Sequence, residues 1–455
     1  MNKPDFSRLP KMDLVLDQPT LATSPWRRDV LKTVVTDLLA EVRTAMRASP
    51  DAAVPDPAAL ATRARGRVEG WAQPRPRRVL NATGVILHTN VGRAPISAEA
   101  VHAMGQAAMA CDLEVDLASG KRGSRFTAIG PLLKLALSAE DAHVVNNNAA
   151  ALLLACTALA DKGGVVVSRG QLVEIGDGFR VATMAAAGGC RVVAVGSTNR
   201  THLSDYEQAL DGTGPDSCGT PVSAILWVHL SNFKQEGFVS EVAPAKLAAL
   251  AHARGVPFIA DLGSGSLGGG LPETEPTVQQ YLREGADLVL CSGDKLIGGP
   301  QAGVIAGAQP LVHACRRHPM ARALRPDKTT LAALHATFAA HLRADGPALP
   351  LHRMVGATVE QLEARAQAVI AALGWSPDSV ATTRATIGGG SLPGDTIVSH
   401  AIVVPTEHPS NTARALRLAD LPIIGRIDNG ALLLDMRTVL PEDDADLIRV
   451  LRATV

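Results

Sequence analysis

The sequence predicts an α/β protein built on a mainly parallel sheet, and three observations carry that reading. Between about residues 80 and 325, short apolar runs alternate with helical patterns. The runs are continuous rather than alternating in polarity, as strands are when both faces of their sheet are covered. Hydrophobic residues make up 46% of the chain and aromatic residues only 3%, so small side chains dominate and helices can pack closely on strands.

Taken in order, residues 20–48 read as an amphipathic helix. Ser24-Pro25 is its start signal, and Leu31, Val34, Val35, Leu38, Leu39 and Val42 form one apolar stripe. The proline-rich piece 50–57 breaks it, a second helix is expected near 57–71, and "QPRPRR" reads as a linker. Residues 1–75 are therefore expected to be a small helical domain. The strand-like runs that follow are 142–146, 164–168, 191–195, 222–230, 256–261, 286–292 and 303–307, within a large domain spanning 76–330. A helix over 355–373, a Gly-rich turn at 387–395, and strands at 400–404 and 431–436 predict a smaller α+β domain over 331–455.

Charge and composition narrow the function. The chain is neutral overall, which argues against a general nucleic-acid binder. Residues 1–78 nevertheless hold 14 Lys/Arg against 9 Asp/Glu, or +5, and the remainder is −5. A basic N-terminal module suits a polyanionic partner, although an ordinary charged helix and linker would read the same way. No 18-residue apolar run predicts a membrane span, and the N-terminus lacks a secretory pattern, so a cytoplasmic protein is expected. Six cysteines (Cys111, Cys156, Cys190, Cys218, Cys291 and Cys315) show no metal spacing; they are expected to be reduced and mostly in the core, and no metal is expected.

Four features converge on one chemistry. Lys295, in "SGDKLIGG", follows the strand over 286–292; an amine there can form a Schiff base with the aldehyde of pyridoxal 5'-phosphate, or it can be a solvated loop lysine. Asp261 ends a strand 34 residues earlier, where one helix and one strand fit between them, so both can reach one sheet edge. That cofactor needs a carboxylate at its ring nitrogen, although Asp261 also reads as a turn residue. "VVNNNAAALLL" passes from strand to helix. Asn146, Asn147 and Asn148 can cap that helix, small Ala149 and Ala150 admit a ligand, and its free amides suit a phosphate, with Ser292 adding a hydroxyl. "GGPQAG" (298–303) permits tight turning behind the lysine. In this order and spacing, they make a pyridoxal-phosphate enzyme the best reading.

At these residues the sequence resembles the bacterial selenocysteine synthase family. The matching stretches are "RRVLNATGVILHTNVGRAPIS" (77–97), "VVNNNAAALLL" (144–154), "RGQLVEIGDGFRV" (169–181), "SGDKLIGGPQAG" (292–303), "GGGSLPGD" (388–395) and "LPIIGRIDNGALLLDMRTVLPED" (421–443). The resemblance implies an aspartate-aminotransferase-like fold (fold type I), the cofactor on Lys295, and a homo-oligomeric ring of dimers, often a decamer. It also implies that the N-terminal domain grips seryl-tRNA(Sec) and that selenophosphate supplies the selenium. In that chemistry Lys295 takes the α-proton of the seryl group and Asp261 pairs with the ring. Arg93, Arg322 and Arg325 are the expected selenophosphate ligands, because their planar forks match oxyanions. Asp294 is expected to tune or orient the lysine. Arg122 and Arg125 are candidates for the aminoacyl end or the phosphate; His88 and His229 could line the pocket, although a packed, hydrogen-bonded histidine is the first reading of either. Arg426 would suit a free carboxylate. It therefore keeps open the alternative, a related lyase acting on a small amino acid or amino sugar acid without tRNA. A tRNA-binding protein without catalysis is a further class, against which Lys295 and Asp261 argue.

Overall fold

The computed structural model describes residues 5–49, 52–160, 163–175, 178–213, 219, 221–231, 233, 235–272, 274–346, 348–388 and 391–455. Cys218 and part of the stretch 388–395 lie outside the described residues. The chain forms two compact units, Met1–Arg78 and Val79–Val455.

The first unit is helical. Its main elements are α1 (Arg28–Ala48) and α2 (Pro57–Ala72). The apolar stripe from Leu31 to Val42 is buried, against Leu60, Ala61, Ala64 and Val68 of α2. The helix expected over 20–48 is in fact two, because a short helix ends at Ala22 and α1 begins at Arg28. Ser24-Pro25 interrupts rather than starts it, since proline lacks an N–H and disfavours helix in the residue before it. The start of α2 is as expected: the Asp56 carboxylate accepts from the Ala59 N–H at 2.7 Å, and Pro57 takes the first helical position. Arg67 of α2 donates to Glu41 of α1 at 2.9 Å.

The second unit is organised by a seven-stranded sheet. Its strands are β1 (Asp141–Val145), β2 (Gly164–Ser168), β3 (Arg191–Val195), β4 (Val222–Val228), β5 (Phe258–Gly263), β6 (Leu288–Ser292) and β7 (Gly303–Gly307). They lie in the order β1-β7-β6-β5-β4-β2-β3. Only β7 runs against its neighbours, β6 and β1. The reason is local: residues 293–302 join β6 to β7 with no crossover helix, and a short link can return only antiparallel. The Lys295 turn sits on that link. Helices cover both faces, giving one apolar cluster around Ile225, Phe258 and Val289 and another around Leu226, Ile259 and Leu290. Each such fully buried side chain contributes about 1.5–3 kcal/mol. Cys156, Cys190, Cys291 and Cys315 are in the core; Cys111 is exposed.

The C-terminal layer is a four-stranded antiparallel sheet of β8 (Val380–Gly388), β9 (Ser391–Val403), β10 (Arg426–Asp428) and β11 (Ala431–Asp435), in the order β8-β9-β11-β10. The expected turn at 387–395 is mostly strand, since β8 reaches Gly388 and β9 starts at Ser391. The helix expected from 355 begins at Val359, because Thr358 and Gln361 form a capping box there; Pro350–Gly356 is a separate helix. The segment after Val79 pairs Leu80–Asn81 with Ile423–Ile424, bridges Val85 to Thr386, and then reaches the parallel sheet, where the Ala94 N–H donates to the Asp294 carbonyl at 3.2 Å. No described helix is long and apolar enough to cross a membrane.

Candidate active site

Strands β1, β4, β5 and β6 run the same way, so their carboxyl ends share one edge of the sheet, where ligands gather in such folds. A cavity of about 250 Å³ opens there. Lys295, Asp261, Asn148, Ser292, Asp294 and Arg93 all line it. Asn147 and Ala149 line it too, so eight of the ten residues expected in the site are brought together.

Lys295 is 8% exposed. Burial holds its amine below the usual lysine range; the nearby charge of Arg93 adds to this, and Asp294, Asp261 and Glu275 oppose it. A lysine disposed in this way has an accessible free amine, the form that attacks an aldehyde. Asp261 is 5% exposed, and its burial pushes its carboxyl up. Its Oδ1 accepts from Asn148 Nδ2 at 2.8 Å and from the Gly263 N–H at 3.1 Å, which favour the charged form. A buried carboxylate so held is suited to a cationic ring nitrogen.

Helix α3 (Asn148–Ala160) follows β1 directly. Asn147 caps it, its Oδ1 accepting from the Ala150 N–H at 2.8 Å. The N–H groups of Asn148 and Ala149 precede the first intrahelical bond and, with the helix dipole, favour an anion. Two further observations fit a bound pyridoxal phosphate. Asn148 Oδ1 is buried without a hydrogen-bond partner. At Gly263, φ is +64°, and a Cβ there would stand 3.9 Å from Lys295 Nζ and 3.4 Å from Ser231 Oγ, filling the space beside the amine.

Arg93 also has a left-handed backbone, with φ +62°, which is uncommon outside glycine. Its Nη1 donates to Asp294 Oδ2 at 2.7 Å. Together with the Ala94–Asp294 backbone bond, this ties the segment after Val79 to the residue beside the lysine.

Arg322 and Arg325 line a different cavity of about 480 Å³, with Arg122, Arg125, Arg316 and His143. The helix Met320–Ala323 ends before Arg325, so Arg322 and Arg325 do not share one helical face. Arg122 and Arg125 are engaged by Glu114, at 3.1 and 2.6 Å. Arg426 belongs to the C-terminal sheet, where it donates to Asp435 at 3.1 Å and to the Thr83 carbonyl at 2.5 Å. His229 lines the Lys295 cavity; His88 does not, but its carbonyl accepts from the Arg93 N–H at 3.1 Å and closes the turn that carries Arg93. Sequence reasoning missed Ser231, Gly263 and Gln301 as lining residues, and Glu275 as the partner of His229. The glycine in "DLGSG" was the one available signal among them.

Comparison with known proteins covers nearly the whole chain. A family model described as L-seryl-tRNA selenium transferase matches residues 79–440. An L-seryl-tRNA(Sec) selenium transferase of Carboxydothermus hydrogenoformans is 39% identical over 450 residues, 96% of this chain and 94% of the relative. One of Methylocella silvestris is 42% identical over 453 residues, 95% of this chain and 94% of the relative. Among solved structures, a D-glucosaminate-6-phosphate ammonia-lyase superposes with a TM-score of 0.58 at 21% identity, over 83% of this chain and 95% of that one, so the two share a fold.

Proposed function

The chain belongs to the L-seryl-tRNA selenium transferase family, and we propose that it converts seryl-tRNA(Sec) to selenocysteinyl-tRNA(Sec) with pyridoxal 5'-phosphate as cofactor and selenophosphate as selenium donor. The observation that carries this reading is the meeting of buried Lys295 and Asp261 in one small cavity at the strand ends, in a chain about 40% identical to named transferases over nearly its full length.

Lys295 would hold the cofactor aldehyde, Asp261 its ring nitrogen, and the start of α3 with Ser292 its phosphate. When bound, the cofactor supplies an electron sink for the α-carbon of the seryl group. The Lys295 amine removes the α-proton, for which burial suits it by favouring the uncharged form. Asp294, held by Arg93, orients the turn that carries the lysine. Over the whole reaction the Cβ–O bond gives way to a Cβ–Se bond, Lys295 returns a proton to Cα, and the phosphorus of selenophosphate departs as phosphate.

Selenophosphate is a small multivalent anion. Arg93 at the cavity matches it, as does the arginine-rich second cavity that holds Arg322 and Arg325. The helical unit Met1–Arg78, with its +5 charge, is the tRNA-binding module in this reading. The exposed Met109, Leu117 and Leu135 of the second unit suit subunit contacts in a ring of dimers. The site of action is the cytoplasm, where charged tRNA is used. The test is incubation with seryl-tRNA(Sec) and labelled selenophosphate, followed by analysis of the esterified amino acid. Selenocysteine is expected; unchanged serine, with release of ammonia from free amino acids, would contradict the reading.

A further inference from the structure

Three carboxylates are buried at or beside the Lys295 cavity: Asp261 at 5%, Asp294 at 6% and Glu275 at 4% exposure. A buried carboxylate needs a partner that offsets its lost hydration. Asp294 has Arg93, and Asp261 has Asn148, the Gly263 amide and, in the reading above, the cofactor ring. Glu275 accepts from the Ser264 hydroxyl on Oε1. Its Oε2 lies 3.5 Å from His229 Nε2, within ion-pair range. Glu275 thus holds the His229 ring from one side while Ser264 holds the other oxygen of the carboxylate.

His229 is also well held. It follows β4, its ring stacks on Trp227 at 5.8 Å with a 29° tilt, and its backbone N–H donates to the Asp261 carbonyl at 2.9 Å. It lines the cavity that contains Lys295. The chemistry leaves a place for it: a departing hydroxide needs a proton, while Lys295 is occupied with the α-proton.

We propose that His229, oriented by Glu275, donates a proton to the β-oxygen of the seryl group as that oxygen leaves, an inference that rests on the function proposed above. The Cβ–O bond breaks with its electron pair on oxygen, the His229 proton joins it, and water departs. The pair released at Cα, whose proton goes to Lys295, forms the Cα–Cβ double bond. The imidazole regains its proton from solvent. His229 is then a catalytic residue and Glu275 a positioning residue.

The test uses the cofactor-loaded full chain and compares the parent with His229→Asn, His229→Gln and Glu275→Gln. The His229 variants are expected to keep the cofactor absorbance band and to exchange the seryl α-hydrogen with deuterated solvent within threefold of the parent. Selenium transfer to seryl-tRNA should fall by about 10²- to 10⁴-fold. Transfer to β-chloroalanyl-tRNA, whose chloride leaves without a proton, should stay within threefold of the parent. Glu275→Gln should lower kcat about tenfold with KM unchanged, and should leave transfer to β-chloroalanyl-tRNA within threefold of the parent, because only the proton-dependent departure needs an oriented His229. Lys295, Asp261, Asp294 and Arg93 line the same cavity as His229, and Glu241, Arg200 and Asp395 line a neighbouring one with it; none of them is changed in these variants. The proposal is overturned if seryl transfer survives in the His229 variants, if the chloroalanyl substrate is equally impaired, if the absorbance band is lost, or if kcat on seryl-tRNA is unchanged in Glu275→Gln. A parent enzyme that neither exchanges nor transfers on seryl-tRNA contradicts the proposed function itself, and this inference with it.

Discussion

Asn148 donates from its side-chain amide to Asp261 Oδ1 at 2.8 Å, joining the first residue of α3 to β5, two residues before that strand ends, across 113 positions of sequence. One hydrogen bond thus holds the start of α3 to the Asp261 carboxylate. Asn148→Ala should remove a hydrogen bond to a buried charged group, worth about 1.5–3 kcal/mol, and weaken cofactor binding roughly 10- to 100-fold. Titration of the unloaded protein with pyridoxal phosphate, followed by absorbance, measures this. Unchanged affinity would show that Asp261 does not depend on Asn148.

Asp261→Asn keeps the size of the side chain and both donors near it, but removes the charge opposite the cofactor ring. Cofactor should still attach to Lys295, whereas selenium transfer should drop by at least about 100-fold, the scale expected when a group that tunes the electron sink is lost. A variant with near-parental turnover would remove Asp261 from the assigned role.

Arg93 combines a strained backbone with an ion pair. Both Arg93→Gly and Arg93→Ala lose the bond to Asp294, but only glycine relieves φ +62°. The glycine variant should be about 1 kcal/mol more stable than the alanine variant in urea unfolding, and both should be defective in selenium transfer. Equal stabilities would mean that the left-handed conformation does not persist in solution.

His143 is 2% exposed beside the arginine-lined cavity; burial, followed by the charge of Arg316, pushes its imidazole down to about 4. Unfolded, it titrates near 6.5. Between these values the folded chain binds fewer protons than the unfolded one, so stability is full above pH 6.5 and is lost as the pH falls toward 4. The loss is about 3 kcal/mol at pH 4. His143→Leu should flatten the stability curve between pH 6.5 and 4 by that amount, as measured by urea unfolding; parallel curves would contradict it. His352, also held near 4 by burial, should leave a residual slope in the variant.

Much of this was legible in the sequence, and for identifiable reasons. The runs 164–168, 191–195 and 303–307 are strands to the residue, because a buried strand bounded by turn residues has only one way to read. Lys295, Asp261 and Ser292 were legible because a strand-helix repeat brings strand ends to one edge. What the sequence hid is what depends on distant pairing. Asn148 reads as a cap, yet the cap is Asn147 and Asn148 reaches Asp261. Arg426 reads as a carboxylate ligand, yet Asp435 and the Thr83 carbonyl occupy it. Arg322 and Arg325 read as partners of Arg93, but the two sets line separate cavities. Side-chain direction at the end of a short helix is not a property of spacing alone.

The assignment of Lys295 as the cofactor-bearing residue is tested most directly by borohydride reduction of the loaded protein, proteolysis and mass mapping of the pyridoxyl group. The modification is expected on the peptide containing Lys295, and Lys295→Ala should leave no stable adduct. A pyridoxyl group on another lysine, or none on the active parent, would contradict the account.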